Sequence, residues 1–426
     1  MKTPRTLQAL SALTLVLLTT SAFAQSKTKV TIMTWEGNST NQSIMNALSD
    51  FEKQNPDIDV ELVNVPAGGY DQARNGLIQA KKLPDLFWVG NDQVLDYARQ
   101  GILFDWSKYA AKEKALMARF APGSIDNYKL DGKLYGLPSL MNTYGYFYNA
   151  DLFKQAGVPL PKANWTYREF FDAARKLTVK DGNRTVRYGV YGPLNGIETL
   201  SQYSLSAGGV ALADRILNTS KVTITPQMVE GAKMWSAAIK DGIVTPRTYP
   251  SDGMTEVFLS GKIPMLGAGQ WLASGFLDSK PNFKWGFAPM PIVKNKVHIL
   301  DAVGIASPSY IKNPDAVWKV LKYLDTKAWE KVLVDAPVAP AAYVPASKPY
   351  YDKLKAAGVS SLASSVDAMV RAQSKVGVRF LAPAWSGKAN DVIGAVYNDI
   401  ISGNVDIQNG LDKMAADINT LIQKSH

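Results

Sequence analysis

The alternation of strand and helix patterns after residue 28 constrains this chain more than any other feature. Lys29-Val30-Thr31-Ile32-Met33-Thr34-Trp35 is a short, β-branched run of strand character. A polar loop, Glu36-Gly37-Asn38-Ser39-Thr40, follows it. Ile44, Ala47, Leu48 and Phe51 then recur at i, i+3, i+4, i+7, which predicts one buried face of a helix ending at Asn55-Pro56-Asp57. Ile58, Val60 and Leu62 alternate as a second strand. Strand, helix and strand in this order form a βαβ unit, in which the strands are parallel and the crossover is right-handed.

The pattern continues with a helix near Tyr70–Gln79 and an apolar run, Leu86-Phe87-Trp88-Val89, suited to a strand covered on both faces. A helix from Asp92 to Gln100 stops at Gly101. Ligands of open α/β sheets bind at the carboxyl ends of the strands, so the loops at Glu36 and at Asn91-Asp92 are candidate site elements. A second region begins after Gly136-Leu137-Pro138. There Tyr144, Tyr146 and Tyr148 alternate along a strand, and Thr166 with Glu169 three residues later predicts a capped helix start. Ile263–Leu266 and Trp285–Ala288 read as later strands, and the chain from Asp315 onward reads as mainly helical. The 426 residues are too many for one compact domain of ordinary size, so two domains are expected.

Residues 1–24 read as a cleaved export signal. Lys2 and Arg5 precede an apolar stretch from Leu7 to Leu18, and Ala22-Phe23-Ala24 offers a small-x-small cleavage site. The apolar stretch falls short of the roughly 20 residues a membrane-spanning helix needs. Nothing later approaches a span, which predicts a soluble periplasmic protein. With no cysteine, disulfides, thiolate metal sites, catalytic thiols and a lipidated N-terminal cysteine are all excluded. The net charge is +10, lowered to +8 without the two basic residues of the first 24, and its lysines are scattered. That distribution reads as a solubilising surface rather than a nucleic-acid footprint.

Several motifs in one order carry a resemblance: Thr34-Trp35-Glu36-Gly37, Phe51-Glu52-Lys53-Gln54-Asn55-Pro56-Asp57-Ile58, Leu83-Pro84-Asp85-Leu86-Phe87-Trp88-Val89-Gly90-Asn91-Asp92, and Gly132-Lys133-Leu134-Tyr135-Gly136-Leu137-Pro138 before Tyr148-Asn149-Ala150-Asp151-Leu152-Phe153. Phe258-Leu259-Ser260-Gly261-Lys262-Ile263-Pro264-Met265 leads to Gly269-Gln270-Trp271, followed by Gly286-Phe287-Ala288-Pro289-Met290-Pro291 and Asn313-Pro314-Asp315-Ala316-Val317-Trp318. In these motifs the chain resembles the maltose-binding-protein-like family, the extracellular solute-binding proteins of ABC carbohydrate importers. The resemblance implies an α/β, two-lobed periplasmic-binding-protein-like fold with several hinge crossings, near Pro138–Leu140, Trp285–Phe287 and Asp335–Tyr343. It divides the chain into an N-terminal lobe (25–138 and 287–338) and a C-terminal lobe (139–286 and 339–426). It further implies a carbohydrate ligand, importer permease subunits as partners, no cofactor, no metal and a monomer.

A sugar presents apolar C–H faces that stack on aromatic rings, and hydroxyls that need donors and acceptors. Trp35 and Glu36 stand where the family contributes ligand contacts, and Asp92 matches a position that accepts sugar hydroxyls. Each has a structural alternative: a core position for Trp35 and a helix cap for Glu36 and Asp92. Asn142 and Tyr144 match ligand-facing positions of the second lobe, and alternation puts them with Tyr146 on one strand face. Gln270 and Trp271 resemble the family's stacking site, with Gly267 and Gly269 allowing close backbone approach. Trp385 matches a late stacking aromatic, and Arg379 and Glu198 are placed by rough position. Tyr70, after Ala67-Gly68-Gly69, is a loop residue within reach of a cleft, with an ordinary mobile loop as the plainer reading, and the two histidines, His298 and His426, form no motif. An anionic ligand, such as a uronic-acid oligosaccharide or glycerol phosphate, would call for two or more cationic side chains, of which Arg379 is one candidate. A secreted glycoside hydrolase would need two carboxyls about 5–9.5 Å apart, for which Glu36, Asp92 and Glu198 are the available candidates.

Overall fold

The computed structural model describes residues 27–424 except 92, 193–196, 215–218, 247–248, 250–253, 373–376 and 380–384. The export-signal reading of residues 1–24 therefore lies outside the described residues, as do Asp92, His426 and the side chains of Glu198 and Arg379.

The chain begins as expected, with β1 (Thr28–Thr34), α1 (Asn38–Gln54), β2 (Ile58–Asn64), α2 (Ala67–Gln79), β3 (Leu86–Gly90) and α3 (Val94–Arg99). β1 lies between β2 and β3 and is parallel to both, with Val30 opposite Val60 and Met33 opposite Phe87. Helix α1 buries Ile44, Ala47, Leu48 and Phe51, the four positions of the helical spacing. It starts three residues earlier than the polar composition of residues 36–40 predicts. Two of those residues, Asn38 and Ser39, lie on its exposed first turn, where nothing apolar is required.

After β4 (Lys129–Leu130) and β5 (Lys133–Leu134), joined through Asp131 and Gly132 at positive φ, the chain enters β6 (Gly136–Asn149). That pair of left-handed residues suits an Asp-Gly hairpin turn. β6 is 14 residues long and changes neighbours along its length. Gly136–Thr143 pairs with β11 (His298–Ala306), whereas Tyr144–Asn149 pairs with β9 (Met265–Gly269) and β10 (Trp285–Pro289). β11 also runs antiparallel to β3 and is joined at its start by β12 (Gly377–Arg379). The result is a mixed eight-stranded sheet in the order β10-β6-β11-β3-β1-β2, with β9 on β6 and β12 on β11. A separate hairpin, β7 (Val179–Asp181) with β8 (Arg184–Arg187), lies apart from it.

Three apolar clusters cover these strands. One joins the β1–β3 region to the helices at 314–335 and 348–372. A second packs Tyr146, Phe153, Trp165, Phe170 and Trp235 on the later half of β6. The third is a helical unit built from 197–206, 226–240, 386–402 and 407–424. The helix Tyr167–Leu177 carries the expected capping box: Thr166 accepts the Glu169 N–H, and Glu169 accepts the Thr166 N–H. A third strand-like segment lies against β6, since Met141 N–H donates to Pro340 C=O (2.9 Å) and Ala342 N–H donates to Ser139 C=O (2.8 Å).

Candidate functional site

The carboxyl end of β1 delivers Trp35 and Glu36 beside β3. Parallel pairing sets Met33 against Phe87, and Trp88 Nε1 donates to Glu36 Oε1 at 3.1 Å. Thr34 Oγ1 accepts the Glu36 N–H (3.0 Å), and Asn41 Nδ2 donates to the Glu36 carbonyl (2.7 Å). The carboxyl is buried, and this loss of water raises its pKa to about 7, against the opposing effect of the Trp88 hydrogen bond. Trp35 meets the Tyr70 ring edge-on, with centroids 4.8 Å apart and planes at 85°. Tyr70 does not lie on a loose loop. It is buried in α2, and its hydroxyl donates to the Trp88 carbonyl at 2.9 Å, a contact made possible by helix formation from Ala67.

A second group is built on β6 and β9. Gly269 stands opposite Tyr144, and the Trp271 indole folds back over this glycine. A Cβ at position 269 would lie 1.9 Å from Trp271 Cζ3, so the glycine is needed for that indole position. Trp271 and Tyr144, both half-buried, meet edge-on with centroids 5.1 Å apart and planes at 87°. Gln270 is fully enclosed. Its Oε1 accepts the Thr143 N–H (2.6 Å), and its Nε2 donates to Met141 C=O (3.3 Å) and Asn142 Oδ1 (3.1 Å). Its amide is thus committed inside the protein, where it holds Asn142 and the start of the Trp271 loop. The expectation placed this glutamine facing a ligand, whereas here its amide faces residues 141–143.

One transverse row joins the two groups. Asn91 N–H donates to Ala302 C=O (2.9 Å), and Ala302 N–H donates to Asn91 Oδ1 (3.1 Å). Ala302 pairs with Met141, whose carbonyl accepts from Gln270. The expected shared face of Asn142, Tyr144 and Tyr146 runs into the core at its far end: Tyr146 is fully buried against Trp165 and Phe170.

Trp385 is not part of this row. It precedes the helix Ser386–Ser402, is 5% exposed, and packs in the helical unit with Leu411 and Met414, a different placement from the stacking position expected of it. The backbone of Arg379 pairs with Leu300, and Glu198 falls within the helix Ile197–Ser206. The residues that sequence reasoning passed over are Trp88 and Arg74, whereas Asn91 lies in a loop it named as a candidate site element. Trp88 sits in an apolar run that signals only a covered strand, and Arg74 in a helix with few buried positions. Among the described residues, no group of three or more His, Asp or Glu could hold a metal ion, and no helix is long and apolar enough to cross a membrane.

The chain belongs to the bacterial extracellular solute-binding protein family, whose profile matches residues 36–331. This is a family of non-catalytic transport components. The chain is 29% identical to a binding protein of Brucella abortus over 285 residues, 66% of this chain and 67% of that one. It is 25% identical to the galactooligosaccharide-binding protein of Bacillus subtilis, over 71% of each chain. Among solved structures it is similar to an ABC substrate-binding protein of Listeria monocytogenes in complex with cycloalternan, with a TM-score of 0.77 and 23% identity over 93% of this chain and all of that one.

Proposed function

We infer that this protein captures a neutral mono- or oligosaccharide between two hinged lobes and delivers it, in the periplasm, to the permease of an ABC importer. The observation that carries this reading is the pairing of aromatic rings with polar groups at the strand ends. Trp35 and Tyr70 stand beside Glu36 in one group, and Tyr144 and Trp271 beside Asn142 in the other. Rings of this kind suit sugar C–H faces, and the polar groups suit hydroxyls. The galactooligosaccharide-binding relative and the cycloalternan complex support the same ligand class. In this reading β6, β11 and the segment 340–343 are the crossings between lobes, because β6 changes neighbours after Thr143 and the other two flank it. The return crossing then falls in β11 rather than at Trp285–Phe287, where β10 is still paired with the later half of β6. A ligand that binds the closed arrangement better than the open one drives closure.

The anionic alternative gains little from Arg74. Arg74, buried beside Tyr70, commits its Nε to Tyr97 and its Nη2 to Asp71. Calorimetric titration of lactose and maltotetraose into the wild type and Trp271→Ala tests the reading. The variant should bind about 1–3 kcal/mol more weakly through lost stacking and burial. Unchanged affinity in a folded variant removes Trp271 from the site.

A further inference from the structure

Arg74 is 1% exposed, which is unusual for a cation whose carboxylate partner, Asp71, is 67% exposed. The ion pair at 2.8 Å therefore returns little of what burying the guanidinium costs. Its Nη1 has no partner among the described residues. What the guanidinium does have is two rings: its Cζ lies 5.5 Å from the centroid of Tyr70 and 5.3 Å from that of Tyr97, and its Nε donates to the Tyr97 hydroxyl at 3.1 Å. Tyr70 in turn supports the Trp35 ring and donates to the carbonyl of Trp88, whose indole N–H holds Glu36.

We propose that Arg74 is a positioning residue for solute binding, clamping Tyr70 so that Trp35 and Glu36 are presented in one fixed arrangement. This rests on the sugar-binding reading above. A side chain kept for stability would be a poor choice here, since a well-packed apolar residue in place of a poorly compensated buried cation is often neutral or stabilising. Arg74 contacts neither Trp35 nor Glu36 directly, so its effect passes through the Tyr70 ring and through the Trp88 backbone.

The first readout needs no ligand. In protein labelled with 5-fluorotryptophan, with the Trp35 resonance assigned by Trp35→Phe, Arg74→Met should shift or broaden that fluorine signal and leave those of Trp165 and Trp385 in place. Its melting temperature should be equal to or above that of the wild type. Arg74→Lys, which keeps the charge without the planar fork, should show the same Trp35 change and serves if the methionine variant fails to fold. Affinity for lactose or maltotetraose, whichever the wild type binds, should fall about tenfold, the size of a lost cation–π support. An unaltered Trp35 signal with unaltered affinity in a folded variant overturns the proposal, as does a loss of affinity that merely tracks a loss of melting temperature. Trp35→Ala separates the two readings. Weakened binding there with none in Arg74→Met removes Arg74 alone, whereas unweakened binding in Trp35→Ala removes the aromatic shelf itself.

Discussion

At the scale of single residues, Glu36 is the most consequential group, because burial places its titration near neutrality. A carboxyl whose folded pKa is raised binds its proton more tightly in the native state, so its effect on stability is adverse as pH rises from about 4.5 to about 7. Urea melts of wild type and Glu36→Gln should therefore diverge over that interval, the wild type losing up to about 3 kcal/mol more than the variant. Parallel curves would mean that Glu36 is not held neutral. His298 acts in the opposite direction: burial lowers it to about 4, so stability is lost as pH falls from about 6.5 toward 4. Gly269 offers a second residue-scale test. Gly269→Ala puts a methyl where the Trp271 ring lies, and should cost about 1–3 kcal/mol of stability through overpacking while also weakening sugar binding. Retained stability and affinity would show that the indole is not seated on this glycine.

At the scale of elements, the junction of β6 with the helices at 314–335 holds a fully buried acid, Asp325, in a turn of π-helix spanning Leu324–Ala328. Such turns interrupt helices at functional positions more often than elsewhere. Asp325 Oδ1 accepts the Ser139 hydroxyl, Oδ2 has no partner among the described residues, and burial pushes the carboxyl well above the usual carboxylate range. Two cations of the same helical segment are engaged elsewhere, Lys322 with Glu113 and Lys331 with Asp50. Asp325 thus also favours the folded state less as pH rises. Asp325→Asn should therefore flatten the loss of stability as pH rises above the ordinary carboxylate range. An unchanged slope in urea melts would show that Asp325 carries no proton.

The elements themselves differ in how legible they were. β1, α1, β2 and β3 follow from local periodicity, because each carries its buried positions at the regular spacing of a strand or helix, whatever covers them. The exchange of partners along β6 does not, since all 14 positions are buried or nearly so and the partners lie more than a hundred residues away. The same holds for side chains. The strand-end rule located Trp35 and Glu36, but nothing local separates a ligand-facing amide from Gln270, whose three hydrogen bonds reach back to residues 141–143. Trp385 differs from its expected placement because its partners are helices of the C-terminal unit.

At the scale of the whole molecule, the formal charge of +10 is spread over a surface of mostly short-range ion pairs. Binding of a neutral sugar should be insensitive to salt. Its dissociation constant should change by less than about twofold between about 0.05 and 0.5 M sodium chloride, where an anionic ligand would weaken markedly. The central claim is capture of a neutral sugar, and the most direct test is a thermal-shift screen of the unliganded protein against neutral mono- and oligosaccharides, uronides and sugar phosphates. A neutral sugar at 100 times its dissociation constant should stabilise the fold by about 2.7 kcal/mol and be recovered unhydrolysed. Stabilisation by uronides or sugar phosphates alone would contradict the account.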